Sequence, residues 1–213
     1  MKKKRKTGWI IVIVIVALLV LQTLPVFFPR PLGSVEMADD RIRLYYQPGD
    51  EKGAKEVFDL LNQKSEEIYQ QMGMQEVTPT NVYLYKTQWQ LAIREAGFAT
   101  LHELVHSIVF RINPELNYFW DNGLATYLSG QTPEAGELDA MPAPTITQMH
   151  TDNGLEFANM GGYAFSYSYI DYLDQTYGWD KVAAYAAGKG DYEAIFGATE
   201  SEIYDAWCDY LGK

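Results

Sequence analysis

Five consecutive basic residues, Lys2, Lys3, Lys4, Arg5 and Lys6, precede residues 8–28, which carry no charge and hold an unbroken apolar run from Trp9 to Leu21. As a helix rising 1.5 Å per residue, such a segment spans about 30 Å, the thickness of the hydrocarbon core of a bilayer. The basic cluster sets the orientation, with the N-terminus on the cytoplasmic side. A cleaved signal peptide has a shorter apolar stretch that ends on a small-x-small site. Here the run continues into Pro25, Val26, Phe27, Phe28 and Pro29. The expectation is a cytoplasmic basic segment over 1–7, one transmembrane helix over 8–28, a stalk over 29–35 stiffened by Pro29 and Pro31, and an extracytoplasmic domain over 36–213, anchored to the cell membrane by a single pass.

The whole-chain charge of -11 hides a split, because residues 1–30 hold six Lys/Arg and no acid, leaving 11 basic and 28 acidic side chains in residues 31–213, a net -17. A field of that sign repels polyanions, so nucleic acid is not an expected partner. A domain of roughly 180 residues buries about 70% of its unfolded surface and needs no covalent staple. The single cysteine, Cys208, excludes an internal disulfide framework and every zinc site built on cysteine pairs, which leaves the three histidines and the carboxylates as metal ligands. A monomeric soluble domain is expected. No repeat is present at any period, which excludes solenoids and propellers.

Residues 41–46 alternate polar and apolar side chains up to Pro48-Gly49 and read as a strand with one buried face. A helix is predicted over 52–72, with Gly73 as its stop, and a second strand over 81–85 after Pro79. Helical spacing or composition then covers 98–110, 119–129, 163–177, 181–187 and 201–211. Pro133, Gly136, Pro142, Pro144 and Gly154 punctuate residues 130–160, which read as a long loop between two helices. The fold class expected is α+β, mainly helical with a small N-terminal sheet, preceded by one transmembrane helix. Trp89, Trp179 and Trp207 read as core or rim aromatics, and Cys208 as a buried inert thiol.

Leu101-His102-Glu103-Leu104-Val105-His106 contains HExxH. Residues 101, 104, 105, 108 and 109 are apolar, so the segment is an amphipathic helix from one side of which His102 and His106, four apart, project together. Two imidazoles so placed can meet one Zn2+. Glu103, one step round the helix, can take the proton of a zinc-bound water as it attacks a carbonyl. A catalytic zinc needs a third protein ligand.

Residues 119–130 read Phe-Trp-Asp-Asn-Gly-Leu-Ala-Thr-Tyr-Leu-Ser-Gly, and residues 161–169 read Gly-Gly-Tyr-Ala-Phe-Ser-Tyr-Ser-Tyr. Together with the HExxH helix and the strand, helix, strand order before it, this succession resembles the small peptidase-MA-like gluzincin domains, distant relatives of the thermolysin and aminopeptidase N families, over most of residues 40–213. The resemblance implies a zincin-like zinc-dependent peptide-bond hydrolase with Glu103 as general base. It also implies a third ligand from the helix after HExxH, at the position where this chain has Asn122 rather than glutamate. Tyr163, ten residues before Leu173, matches the tyrosine that donates a hydrogen bond to the oxyanion in the aminopeptidase N family. His150 is the other candidate donor. No amine-binding motif of the aminopeptidases lies between the second strand and the HExxH helix, which tilts the expectation toward an endopeptidase.

Three outcomes follow from Asn122. Its amide oxygen coordinates zinc in a site with one less negative charge and a weaker hold on the ion. Alternatively Asp121 or Glu156 substitutes, although Asp121 lies about 100 degrees round a helix and has a shorter reach. In the third case zinc is lost, and the domain is a pseudopeptidase that binds peptide or protein in the old cleft. A membrane-tethered acidic scaffold without metal is a further class, but a scaffold has no physical need for two histidines and a glutamate at this spacing.

Overall fold

A computed structural model describes residues 30, 33–74, 79–84 and 93–213, with residues 93–99 described by backbone alone. The expected transmembrane helix over 8–28 and Trp89 lie outside the described residues. Among those described, no helix is long and apolar enough to cross a membrane.

The architecture is α+β, mostly helical, with one three-stranded sheet. Strands β1 (Val35–Ala38), β2 (Ile42–Tyr46) and β3 (Thr80–Tyr83) lie in that order. β1 pairs antiparallel to β2, with Val35 opposite Tyr46, and β3 pairs parallel to β2, with Leu44 beside Val82. The short β1–β2 turn is held by Asp39 Oδ1, which accepts the backbone N–H groups of Arg41 and Ile42. A parallel pair needs a long crossover, and α1 (Glu51–Gln71) supplies it. Its Ala54, Val57, Leu61 and Ile68 form a stripe buried against Ile42 and Leu44. β1 was not anticipated from the sequence. It is an edge strand of four residues, three of them exposed, so it has almost no apolar alternation to read, and it begins inside the segment expected to be stalk.

The helical part comprises α2 (Ile93–Ile112), α3 (Tyr118–Ser129), α4 (Ile146–Met149), α5 (Gly154–Asn159), α6 (Gly162–Tyr177), α7 (Trp179–Ala186), α8 (Tyr192–Phe196) and α9 (Glu200–Leu211). The stretch 130–160 is therefore not loop throughout. α4 and α5 are too short to show a 3.6-residue period, and only their caps betray them. Thr145 and Gln148 form a reciprocal capping box, and the Asn153 side chain accepts from the N–H groups of Leu155 and Glu156.

α3 packs most extensively on α6 and then on α2. The contact with α6 is made at Gly123, where a Cβ would stand 2.7 Å from the Ser166 carbonyl oxygen and 2.8 Å from Ile170 Cγ1, so only glycine permits it. On the same helix the buried Trp120 ring sits among Tyr169, Tyr185, Tyr192 and Phe196. Burying an indole N–H requires an acceptor, and Trp120 Nε1 donates to the Tyr192 hydroxyl at 2.9 Å, which also accepts from the Tyr169 hydroxyl. Trp207 is fully buried, whereas Trp179 lies at the rim, stacked on Tyr127. Cys208 is half-buried rather than buried, because α9 turns Ile203 and Trp207 inward and leaves position 208 about 100 degrees round the helix.

Candidate active site

Leu101, Leu104, Val105, Ile108 and Val109 are each at most 2% exposed and hold α2 against the core. His102 and His106 stand one residue round from that stripe and one turn apart. The chain then reverses, and Asn117 caps α3 by accepting from Trp120 N–H, which brings the first turn of α3 beside α2. Asp121 on that turn meets His106, with Oδ2 2.8 Å from Nδ1. An ionised carboxylate only accepts, so Nδ1 of His106 carries the proton and Nε2 presents a lone pair. That Nε2 accepts from Nε2–H of His102 at 3.0 Å, so the two rings are hydrogen-bonded to each other.

The two imidazoles are electrostatically unlike. Burial pulls the pKa of His102 below the usual 6.5, and the neighbouring His106 adds to the depression. Burial acts the same way on His106, but the hydrogen bond and charge of Asp121 outweigh it and raise the pKa. Oδ1 of Asp121 is buried with no hydrogen-bond partner among the described residues, while the Gln131 side chain beside His102 works against the lowering of its pKa.

A cavity of about 400 Å³ opens beside His102, which lines it with Glu103, Thr126, Gln131, Glu137 and Tyr163 among others. Tyr163 stands in the first turn of α6, half exposed, its ring centroid 6.1 Å from that of His102 and 5.0 Å from that of Phe157. Gly162 lets that turn sit on Phe157, since a Cβ there would lie 2.5 Å from the Phe157 ring. Burial, with Tyr118 and Glu103 nearby, raises the Tyr163 pKa, so its hydroxyl remains a donor at neutral pH.

The other sequence candidates lie as follows. Asn122 is 2% exposed, and its Nδ2 donates to the Tyr118 carbonyl at 2.8 Å, one turn back on its own helix. Glu156 accepts from the Thr151 hydroxyl, and His150 Nε2 lies 2.8 Å from Glu200 Oε1. Among the described residues no group of three or more His, Cys, Asp or Glu is placed to hold one metal ion.

No family model, curated protein or solved structure matches the chain. The donor set fits a small divalent cation in part. The two Nε2 atoms are within a few tenths of an ångström of the roughly 3.3 Å separation expected for two nitrogens about 2.05 Å from one tetrahedral zinc. His102 is favoured neutral, and Asp121 on the far nitrogen of His106 is the arrangement that orients a metal-binding imidazole.

Sequence reasoning weighed Asp121 only as a ligand and set it aside for its reach. Its partnership with the far side of His106 needs no such reach, and the one local signal was an acid in the first turn of the next helix. Thr126, Gln131 and Glu137 carried no sequence signal at all, since the cavity they line exists only where α2, α3, α6 and the following loop converge.

Proposed function

We propose that the chain is a membrane-anchored, extracytoplasmic, zincin-like zinc peptidase that hydrolyses peptide bonds. The observation that carries this reading is the His102–His106 pair, with Nε2 atoms 3.0 Å apart and His106 held from behind by Asp121, of which His102 lines a cavity that also presents Glu103 and Tyr163. His102 and His106 would hold zinc, with the Asn122 amide oxygen as the candidate third donor. Zinc bound there supplies Lewis-acid polarisation of the scissile carbonyl and lowers the pKa of water. Glu103, exposed in the cavity, takes the proton from the attacking water and returns it to the leaving amine. Tyr163, a neutral phenol beside His102, donates to the oxyanion as charge develops on it. Asp121 keeps the proton of His106 on Nδ1 and so keeps Nε2 directed at His102. The apolar run over 8–28 supports a single-pass anchor with the N-terminus in the cytoplasm.

A second reading, a pseudopeptidase that binds peptide or protein without cleaving it, is favoured by the Asn122 amide donating to its own helix and by the lack of a third acidic ligand among the described residues. The experiment is zinc content per full-length chain in detergent by elemental mass spectrometry, with His102→Ala as control and peptide-library cleavage with Glu103→Gln. Near-stoichiometric zinc lost in His102→Ala, with cleavage lost but metal kept in Glu103→Gln, is the expected result. No zinc in the wild type sinks the enzyme reading, and cleavage by Glu103→Gln at the wild-type rate sinks the role of Glu103.

A further inference from the structure

Glu137 is the carboxylate of the cavity for which the chemistry above has no use. It lines the same space as His102, Glu103 and Tyr163 but comes from the segment after α3, and among the described residues no lysine or arginine forms an ion pair with it. Its place is set by structure on both sides. Glu137 N–H donates to the Glu134 carbonyl, Glu137 Oε2 accepts from Glu134 N–H at 3.0 Å, and Asp139 N–H donates to the Gly136 carbonyl, so residues 134–139 form a closed turn. Two residues later Met141 is fastened twice. Its carbonyl accepts from Lys213 Nζ at 2.6 Å, and its side chain fills the space that a Cβ on Gly161 would take. Gly161 has φ 71° and opens α6, so the acidic turn is tied to the same helix start that presents Tyr163. Of the other cavity residues, Thr126, Gln131 and Thr132 are neutral hydrogen-bonding groups and Pro133 and Ala164 are apolar, and no lysine or arginine lines the space. Glu103 is occupied with the proton of the attacking water. Glu137 is left as a negative charge on the wall of the cavity, inside a domain whose overall field is also negative.

We infer that Glu137 selects a lysine or arginine side chain of the peptide that enters this cavity. For cleavage the inference rests on the peptidase reading; for binding it does not. An ammonium or guanidinium group next to Glu137 gains a charge-assisted hydrogen bond, and an acidic side chain there meets two carboxylates. Because the cavity is open to solvent, the preference must weaken with salt.

The test uses the full-length protein in detergent and matched peptides that differ at one position, Lys against Gln against Glu. Two readouts run in parallel: kcat/KM with the wild type, and fluorescence anisotropy binding with Glu103→Gln. The wild type is expected to prefer Lys over Gln by about tenfold at low salt, falling severalfold between about 50 mM and about 500 mM salt. Glu137→Gln, whose amide oxygen still accepts from Glu134 N–H, should abolish the preference, and Glu137→Lys should turn it toward Glu. The salt dependence of the wild type needs no folded variant. Cleavage with no Lys preference, or with a preference that both variants leave intact, overturns the inference and leaves the peptidase reading standing. Lys-selective, Glu137-dependent binding without cleavage by the wild type upholds the inference and overturns the peptidase reading. Neither binding nor cleavage of Lys peptides overturns the inference.

Discussion

Asp121→Asn is the most informative single change, because it keeps the size and one acceptor oxygen of the side chain and removes only its charge. Asp121 and His106 are 25% and 23% exposed and 2.8 Å apart, so solvent screens the pair little. A hydrogen bond to a charged group in such a setting contributes about 1.5–3 kcal/mol. Loss of the partner behind a histidine ligand costs about 10–100-fold in metal affinity, which converts to about 1.4–2.8 kcal/mol. The two routes agree, and since asparagine keeps an acceptor, the expectation is a zinc Kd weakened by about 10–30-fold. One opposing effect must be removed. Asp121 raises the pKa of His106, and its loss lessens proton competition for the metal, so the measurement is made well above 6.5, by competition against a chromophoric chelator with the full chain in detergent. A Kd within twofold of wild type in a folded variant would show that packing alone orients His106 and would refute the role given to Asp121.

Three further outcomes are expected. Gly123→Ala gains about 1 kcal/mol of helix propensity but drives a methyl to 2.7 Å from the Ser166 carbonyl oxygen, an overpacking cost of about 1–3 kcal/mol; denaturant unfolding of the chelated protein should show a net loss, and a stabilised variant would contradict the close α3–α6 approach. In the chelated protein the ring protons of His102 and His106 should titrate by NMR on opposite sides of 6.5, His102 below and His106 above. The stabilising share of His106 is then complete below its unfolded pKa and lost as pH rises through the raised folded value. The lowered pKa of His102 works the other way and costs stability as pH falls below 6.5. Asp121→Asn should bring the His106 titration down, and two titrations on the same side would contradict the assignment. Tyr163→Phe should lower kcat by about 10²-fold with zinc content and KM near wild type; an unchanged kcat would remove Tyr163 from the oxyanion role.

The long helices were legible because their apolar residues recur at helical spacing. Leu101, Leu104, Val105 and Ile108 mark α2 as clearly on paper as in space, and the same stripe places His102 and His106 together without further information. β1, α4, α5 and α8 were not legible, since four to six residues hold too little of any period. In α4 and α5 only capping side chains mark the ends.

The local pattern therefore determined where the long helices form and that two imidazoles share one face, because both depend on residues within one or two turns. Whatever depends on how helices dock was decided only in three dimensions. The meeting of Asp121 with His106 across fifteen residues follows from the angle at which α3 returns along α2. The cavity that gathers Tyr163 and Glu137 beside His102 follows from the approach of α3 to α6 allowed by Gly123 and from the fastening of Met141 at Gly161. Those contacts join residues far apart in the chain, and side-chain shape and close packing, which leave no trace in a local period, select them.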